Sequence, residues 1–522
     1  MSTPDPSPDS GNLKSERPHK PSGRWLLGLL IGLMAACGSV LIYREITSTS
    51  ATGVEYTSPL AQNAAAENGS EQSQAASFED PILFPALRRG DLPDVILITI
   101  DTLRADFLSC YGHPHSTSPH IDRFASESLR FDNCFSHAPA TSSSIASLLS
   151  GFLPHETKVI YNMPLPDKVE TLAEMLDRQG FTTVAVISNM VLSRMNGWSQ
   201  GFRAFDDEMT VRELNRNRYN ERIAQHTTDC AIELLERFSA DPLFLWIHYQ
   251  DPHGPYTPPD GFGDSFPVTD RDPRPVRVNS GETGYDGIPR YQRLGEETDY
   301  HHYVSQYEGE IRYLDEHFKR LIDAIKQQDR YDNSLIIFTA DHGEGMGEHE
   351  YYFAHGENLL TALTHVPLIV RRGEELGGVR EDFVQHLDIV PTVRTMLGLP
   401  VGPQYRGRNL LDPNALPREI VAQKGAFPSD DVTLGRFSLI SDGLKFNHNR
   451  LQEIRELFDL RADPYEEEDL SKNPAYQDQL QALERRLTVI REENRLGQQI
   501  INRNRQYTPE EKRQLRALGY VR

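Results

Sequence analysis

The sequence predicts an α/β fold in which a mainly parallel sheet is flanked by helices. From Pro93 onward, short apolar runs rich in β-branched residues alternate with longer segments of helical periodicity, as in parallel sheets. Polar side chains able to do chemistry follow several of these runs, where the carboxyl ends of parallel strands open a crevice. The composition, with 38% hydrophobic and 25% charged residues, is that of a globular protein with a sizeable core.

The strand predictions rest on short β-rich runs, which in chain order span 95–100, 182–187, 243–248, 335–339 and 367–370. Apolar residues at helical spacing predict helices between them, over 118–130, 143–150, 170–179, 220–238 and 303–328. The stretch 260–297 is rich in Pro, Gly and Asp, and we expect it to form a loop over the site.

The composition changes along the chain in a way that predicts six regions. A polar, disordered cytoplasmic segment (1–22) precedes a transmembrane signal anchor (23–44) and a flexible linker rich in Ala, Ser, Thr, Gln and Glu (45–92). The catalytic domain is expected over 93–413, followed by a small C-terminal α+β subdomain over 414–475. A helical C-terminal tail covers 476–522.

The membrane prediction depends on an uncharged apolar run between Trp25 and Tyr43, which is long enough to cross a bilayer. Basic residues precede this run, so the positive-inside rule leaves the N-terminus in the cytoplasm. The protein is therefore expected to be a single-pass membrane protein whose catalytic domain faces the bacterial periplasm or the cell exterior. A cleaved signal peptide, which the long polar leader disfavours, and a lipoprotein cleavage box ending at Cys37 are the alternatives.

Charge and motifs exclude several function classes. A net charge of −22 argues against a nucleic-acid partner, which requires a basic face. The chain has neither a P-loop nor a strand followed by G-x-G-x-x-G, so a bound nucleotide cofactor is not expected. The cysteines lack the spacing of a zinc site, and their spacing leaves open whether Cys110 and Cys134 pair.

Three residues at strand ends are candidate metal ligands. Asp101 ends the first apolar run, and Asp341 and His342 follow the run at 335–339. Two carboxylates and an imidazole can bind Ca²⁺, Mg²⁺, Mn²⁺ or Zn²⁺, so one divalent ion is expected, with its identity open. Taken alone, Asp101 is better explained as a helix cap or turn residue, and Asp-His-Gly is also common in turns. The combination of the two strand ends is what favours a metal site.

A hydroxyl and several imidazoles complete the candidate site. Thr141 precedes a predicted helix, where free N–H groups favour an anion, and coordination to a cation would make its hydroxyl a usable nucleophile. His248 and His253 flank the end of the strand at 243–248, and His349 and His355 follow the metal pair. These rings can bind an anionic ester or protonate its leaving group.

In combination these pieces resemble the sulfatase family of the alkaline phosphatase superfamily. The resemblance runs from about residue 93 to the C-terminus and rests on these motifs: Ile98–Asp106, Tyr111–Gly112, Ser118–Asp122, Leu148–Gly151, His248–Tyr256, Tyr307–Asp315, Ala340–Glu344, His365–Ile369, Leu387–Thr392, Glu456–Leu460, Asp463–Pro464 and Leu515–Tyr520. It implies the sulfatase fold and hydrolysis of sulfate or phosphate esters. The substrate would be a sulfated or phosphorylated glycan, lipid or small molecule.

The nucleophile segment departs from the family pattern. Formylglycine sulfatases carry Cys-x-Pro-Ser-Arg, whereas this chain has Thr141-Ser-Ser-Ser-Ile145. A Thr nucleophile is what phosphoryl-transferring relatives of the family use. By position, the resemblance implies that Asp101, Thr141, Asp341 and His342 hold one divalent cation. Thr141 would attack, with His253 and His355 binding or protonating the ester.

Two other functions remain open from the sequence. One is a phosphoryl-group transferase of the phosphoglycerol or phosphoethanolamine type, although such enzymes usually have several membrane spans. The other is a non-catalytic sulfatase-like binding protein, which the missing Cys and Arg would allow. Because the chain keeps every expected metal ligand and a hydroxyl, the sequence favours an enzyme over a binding protein. The single predicted membrane span favours hydrolysis over transfer.

Overall fold

The computed structural model describes residues 92–217, 219–268, 272–373, 376–416, 418–425 and 435–497. The predicted cytoplasmic segment 1–22 and signal anchor 23–44 lie outside these residues, as do the linker apart from Leu92 and the tail beyond Gly497. Within the described ranges, none of the helices combines the length and apolarity that a bilayer crossing requires.

The strands cover both the central sheet and a smaller C-terminal sheet. They are β1 (Asp94–Ile100), β2 (Leu129–Phe135), β3 (Thr182–Ile187), β4 (Ala204–Asp206), β5 (Val211–Arg212), β6 (Asn220–Glu221), β7 (Leu243–Tyr249), β8 (Ser334–Ala340), β9 (Gly345–Met346), β10 (Tyr352–Ala354), β11 (His365–Arg372), β12 (Gly378–Gln385), β13 (Ile420–Gly425), β14 (Gly435–Ser441), β15 (Leu444–Asn449) and β16 (Ile454–Asp459).

The helices occupy most of the segments between these strands. They are α1 (Pro119–Ser126), α2 (Thr141–Ser150), α3 (Pro154–Thr157), α4 (Leu172–Arg178), α5 (Ala224–Arg237), α6 (Tyr300–Gln327), α7 (Thr361–Thr364), α8 (Ile389–Met396) and α9 (Gln477–Glu492). All five predicted strands and all five predicted helices are confirmed, with ends that shift by a few residues.

The central sheet has the strand order β12-β2-β11-β8-β1-β7-β3-β4. Strands β8, β1, β7, β3 and β4 run parallel to one another, and β12 runs parallel to β2. Only β11 runs antiparallel to both of its neighbours, β2 and β8. The prediction of a mainly parallel sheet flanked by helices is therefore confirmed.

Burial explains why the middle of this sheet reads as continuous apolar sequence. Every residue of β1, β3, β7 and β8 is buried, because helices cover the sheet and leave no solvent face for polar residues. Helices α1 and α5 pack against the long helix α6, whereas α4 and α8 pack against α2. The thiols of Cys110, Cys134 and Cys230 are all unpaired.

A four-stranded antiparallel sheet, β13-β14-β15-β16, forms the C-terminal part. Leu483, Leu487 and Ile490 of α9 are buried against Phe437 and Phe446 of this sheet. The buried Lys445 on β15 forms an ion pair with Glu466 at 2.9 Å and donates to the carbonyl oxygen of Leu359 at 2.6 Å. This contact ties the small sheet to the segment that leads into α7.

Candidate metal and ester site

The candidate site lies where four adjacent strands of the central sheet end. Asp101 directly follows β1, Asp341 follows β8, and His253 comes four residues after β7. Asn189 stands two residues after β3. Because β8, β1, β7 and β3 are parallel neighbours, their carboxyl ends meet at one edge and bring these side chains together.

Asp101, Asp341 and His342 form a compact and fully buried cluster. One ligand atom from each lies within 4.8 Å of the others. His342 Nε2 is 3.4 Å from Asp341 Oδ2 and 4.0 Å from Asp101 Oδ1. The backbone N–H groups of Thr102 and His342 donate to Asp341 Oδ1, at 3.1 and 2.7 Å, and so fix the direction of that carboxylate.

The two carboxylates influence each other's ionisation. Burial and the negative charge of Asp101 raise the pKa of Asp341. Burial alone would also raise the pKa of Asp101, but the imidazoles of His253 and His248 hold it below its usual value. With two buried acidic groups in one cluster, a bound cation would offset the repulsion between their negative charges.

The residues of this cluster fit a divalent cation. Asp101 Oδ1 and Asp341 Oδ2 are buried, and neither has a hydrogen-bond partner among the described residues. His342 donates from Nδ1 to the carbonyl oxygen of Gly343 at 2.9 Å, so the lone pair of Nε2 faces the cluster. A metal-ligating imidazole is commonly oriented in this way by a backbone carbonyl.

Thr141 is the first residue of α2 and points its hydroxyl toward this cluster. Its Oγ1 lies 3.4 Å from His342 Nε2, and the side chain is buried. Ser144, one turn further along α2, donates to the carbonyl oxygen of Asp341 at 2.5 Å. This bond holds the N-terminus of α2 against the end of β8. The backbone N–H groups in the first turn of α2 remain available to bind an anion.

His253 and His355 stand together beside the cluster. Their ring centres are 5.1 Å apart, and the His355 ring lies 4.7 Å from that of His342. Burial disfavours a charged ring at His355, but the carboxylate of Glu344, 3.1 Å from Nδ1, raises its pKa. Burial lowers the pKa of His253 to about 3, so this ring is neutral at pH 7.

A polar cavity of about 520 Å³ opens in front of these groups. Arg216 lies in its wall, where it pairs with Glu213 at 2.7 Å and stacks over Tyr219 and Tyr291, with 4.5 and 4.7 Å to the ring centres. The cavity lining includes Thr141, Tyr161, Asn162, Asn189, Asn215, Glu221, Gln250, His253, Arg290 and His355. Such a lining suits a ligand with many hydroxyl groups.

Two predicted substrate-binding residues lie outside this cavity. His248 is fully buried behind the cluster, with Nδ1 2.9 Å from Thr99 Oγ1 and Nε2 3.4 Å from Asp101 Oδ2, so its contacts position Asp101. His349 is exposed, and its Nε2 lies 3.4 Å from the carbonyl oxygen of Tyr465. The chain turns at Gly347, where φ is +101°, and this turn carries His349 away from the cluster.

The structure adds residues that sequence reasoning missed. Asn189 donates to Asp101 Oδ2, and Glu344, which is fully buried, pairs with His355. Asn189 comes shortly after a buried strand, as Asp101 does, so the same sequence pattern could have identified it. Glu344 lies in the Asp-His-Gly-Glu motif, so its position was visible in the sequence although its partner was not.

Comparisons with known proteins agree with this architecture. The Sulfatase family model matches residues 93–399. The Delta 4,5-hexuronate-2-O-sulfatase of Bacteroides thetaiotaomicron is 23% identical over 75% of this chain and 87% of its own. A protein solved with its substrate D-glucosamine-2-N,6-O-disulfate covers 79% of this chain and 99% of its own, at 19% identity and a TM-score of 0.64.

A phosphonate monoester hydrolase of Agrobacterium radiobacter is a further structural neighbour. It is 20% identical, covers 76% of this chain and 95% of its own, and has a TM-score of 0.61. At this identity the two structural likenesses establish the fold. The family model spans more than half of the 522 residues. The chain therefore belongs to the sulfatase family and is a sulfatase-like hydrolase.

Proposed function

We propose that this protein hydrolyses sulfate esters with Thr141 as nucleophile and one divalent cation held by Asp101, Asp341 and His342. The observation that carries the proposal is the placement of Thr141 Oγ1, 3.4 Å from His342 Nε2 at the edge of the buried acidic cluster. A hydroxyl at that point, on a helix N-terminus and facing an open cavity, can reach an ester bound in front of it.

Each group in the site has a distinct task. A bound cation would supply Lewis acidity, lowering the pKa of the Thr141 hydroxyl and attracting the ester oxygens. The free N–H groups at the start of α2 stabilise negative charge on the sulfuryl oxygens. His253, neutral at pH 7, donates a hydrogen bond to the same oxygens. His355 is held by Glu344 in one orientation, as in the carboxylate–imidazole pairs of other hydrolases.

The reaction proceeds in two steps. The Thr141 hydroxyl gives its proton to water, and its oxygen attacks sulfur while the bond from sulfur to the ester oxygen breaks. The leaving oxygen takes a proton from His355, so the products are an alcohol and a sulfated Thr141. Water then attacks the same sulfur and gives a proton to His355, hydrogen sulfate departs, and Thr141 Oγ regains a proton from solvent.

A sulfated glycan is the substrate class that we propose. The cavity in front of Thr141 measures about 520 Å³ and is lined by amide, guanidinium, carboxyl and phenol groups, which suit the hydroxyls of a sugar unit better than an acyl chain. Two proteins similar to this chain act on sulfated sugars. One is a hexuronate sulfatase, and the other was solved with a disulfated glucosamine as its substrate. Arg216, beside Tyr219 and Tyr291, offers a cation for a second anionic group of such a sugar.

The nucleophile is tested by comparing Thr141→Ala with Ser142→Ala. Ser142 is the next residue, and its buried hydroxyl has no hydrogen-bond partner among the described residues, so it is a matched control. We expect Thr141→Ala to lower kcat on an aryl sulfate by about 10⁴-fold or more, and Ser142→Ala to stay close to wild type. Retained turnover in Thr141→Ala would exclude this nucleophile.

The same preparations test the metal and the ester class. Chelation should abolish turnover, and adding back Ca²⁺, Mg²⁺, Mn²⁺ or Zn²⁺ separately should show which ion restores it. An aryl phosphodiester assayed in parallel distinguishes the two ester classes, and we expect the sulfate ester to be the better substrate. Full activity after chelation, or a clear preference for the phosphodiester, would contradict the corresponding part of the proposal.

A further inference from the structure

A second cluster of metal-ligating side chains lies apart from the ester site. His113 Nε2 and His115 Nδ1 both face the same carboxylate oxygen, Glu308 Oε1, and each lies 2.9 Å from it. One ligand atom from each of the three residues lies within 4.8 Å of the others. We call these three residues the His–Glu cluster. None of them has a task in the reaction described above.

The hydrogen bond at Nδ1 of His113 determines what its other ring nitrogen presents to Glu308. His113 Nδ1 lies 3.1 Å from the carbonyl oxygen of Asp106, which can only accept, so this nitrogen carries the proton. In the neutral ring, Nε2 therefore presents a lone pair to the carboxylate oxygen of Glu308 at 2.9 Å. Two lone pairs at this distance repel each other unless a proton or a metal ion lies between them.

The arrangement has the features of a built metal site. His113 is oriented by a backbone carbonyl, the usual arrangement for a metal-ligating imidazole. Its ring stacks on Phe107 at 4.9 Å, and the ring of His115 stacks on Phe266 at 5.6 Å, so both imidazoles are held in place. The side chain of Glu308 is only 4% exposed, whereas that of His115 is 33% exposed and leaves an entry path.

We propose that His113, His115 and Glu308 bind a transition-metal ion of the Zn²⁺ class. Two imidazole nitrogens and one carboxylate oxygen form a donor set that Zn²⁺ commonly takes. Zn–N and Zn–O bonds of about 2.0–2.2 Å place ligand atoms about 3–4 Å apart, close to the separations seen here. Water completes the coordination on the exposed side of His115.

The bound ion joins the segment after β1 to helix α6. Glu308 belongs to α6, and the preceding residue, Tyr307, donates to the carbonyl oxygen of Thr102 at 2.8 Å and accepts from the Arg104 N–H at 3.1 Å. The segment 102–115 starts next to Asp101. Tyr307 of α6 contacts the beginning of this segment, and Glu308, the next residue, contacts its end. The role that we infer for the ion is structural, since it holds this segment in place.

The proposal is tested by zinc binding to the full chain. Protein stripped with a chelator is loaded with ZnCl₂ and desalted, and its zinc content is measured by mass spectrometry for wild type, His115→Ala and Glu308→Gln. We expect each cluster variant to hold one zinc equivalent fewer than wild type. Zinc should also raise the unfolding temperature of wild type more than that of either variant.

His120→Ala is the matched control, because His120 lies in α1, shortly after this segment, and its side chain is also partly exposed, at 29%. It should bind as much zinc as wild type. Equal zinc contents for wild type and both cluster variants would overturn the proposal. The measurement does not depend on turnover, so failure of the Thr141 mechanism would not affect its outcome.

Discussion

In the mechanism that we propose, Glu344 makes His355, and not His253, the imidazole that supplies a proton. It pairs with His355 at 3.1 Å, whereas the buried Nδ1 of His253 has no hydrogen-bond partner among the described residues. We expect His355→Ala to lower kcat by about 10²–10⁴-fold on an alkyl sulfate, whose leaving group needs a proton. The loss should be much smaller on an activated aryl sulfate, and steady-state kinetics on both esters measures the difference.

His349→Ala is the control for this experiment. His349 was predicted from the sequence to bind substrate, yet its side chain is exposed and faces the carbonyl oxygen of Tyr465. Its replacement should leave kcat and KM on both esters unchanged. An equal loss on both esters in His355→Ala would show that this ring binds the substrate without protonating the leaving group.

The sequence supported predictions for residues whose position follows from a strand end. Asp101, Asp341 and His342 come directly after buried apolar runs, and the structure brings all three together. The orientation of a side chain is a different matter, because it depends on partners that are distant in sequence. His248 and His349 are examples. His248 lies behind Asp101 and contacts it, whereas the turn at Gly347 places His349 away from the cluster.

The buried ion pair between Lys445 and Glu466 lies in the C-terminal part of the protein and contacts the start of α7. Both side chains are at most 1% exposed, and Glu466 also accepts the backbone N–H of Thr361. Removing one partner leaves the other charge buried without compensation. We expect Glu466→Gln to lower the free energy of unfolding by about 3–5 kcal/mol, measured by denaturant titration.

Glu467→Gln provides the comparison, since Glu467 is the next residue and is exposed. It removes the same charge, and its effect on stability should be close to zero. If both variants lowered the free energy of unfolding by the same amount, the change in net charge would be the cause. The buried ion pair would then make no specific contribution to stability.

Elements with a clear periodicity were predictable, whereas β12 at the edge of the central sheet and its neighbour β2 were not. The fully buried strands β1, β3, β7 and β8 read as uninterrupted apolar runs. Strands β2 and β12 carry charged residues and are only partly buried, so their sequences give no such signal. The antiparallel direction of β11 was also invisible, because apolar sequence does not encode which way a strand runs.

The location of the whole protein stays a prediction, since the apolar run at 25–43 lies outside the described residues. We propose that this run anchors the protein and that the catalytic domain faces the periplasm or cell exterior. The full chain should then sediment with membranes and resist extraction by carbonate, whereas a chain lacking residues 1–44 should be recovered without detergent. Release of the full chain by carbonate would contradict the anchor.

The position of β2 in the central sheet has a consequence for how the protein is made. Both neighbours of β2, the strands β11 and β12, follow it in the chain by a long interval, with Cys134 paired to Val366. At ribosomal speeds of about 5–20 residues per second, roughly 10–50 seconds pass before those partners emerge. During that time the β2 segment of the nascent chain has no partner strand, and its Phe131 and Phe135, which are buried in the folded protein, are exposed. We therefore expect that chaperones able to bind such unpaired strand segments are needed for a good yield of folded protein.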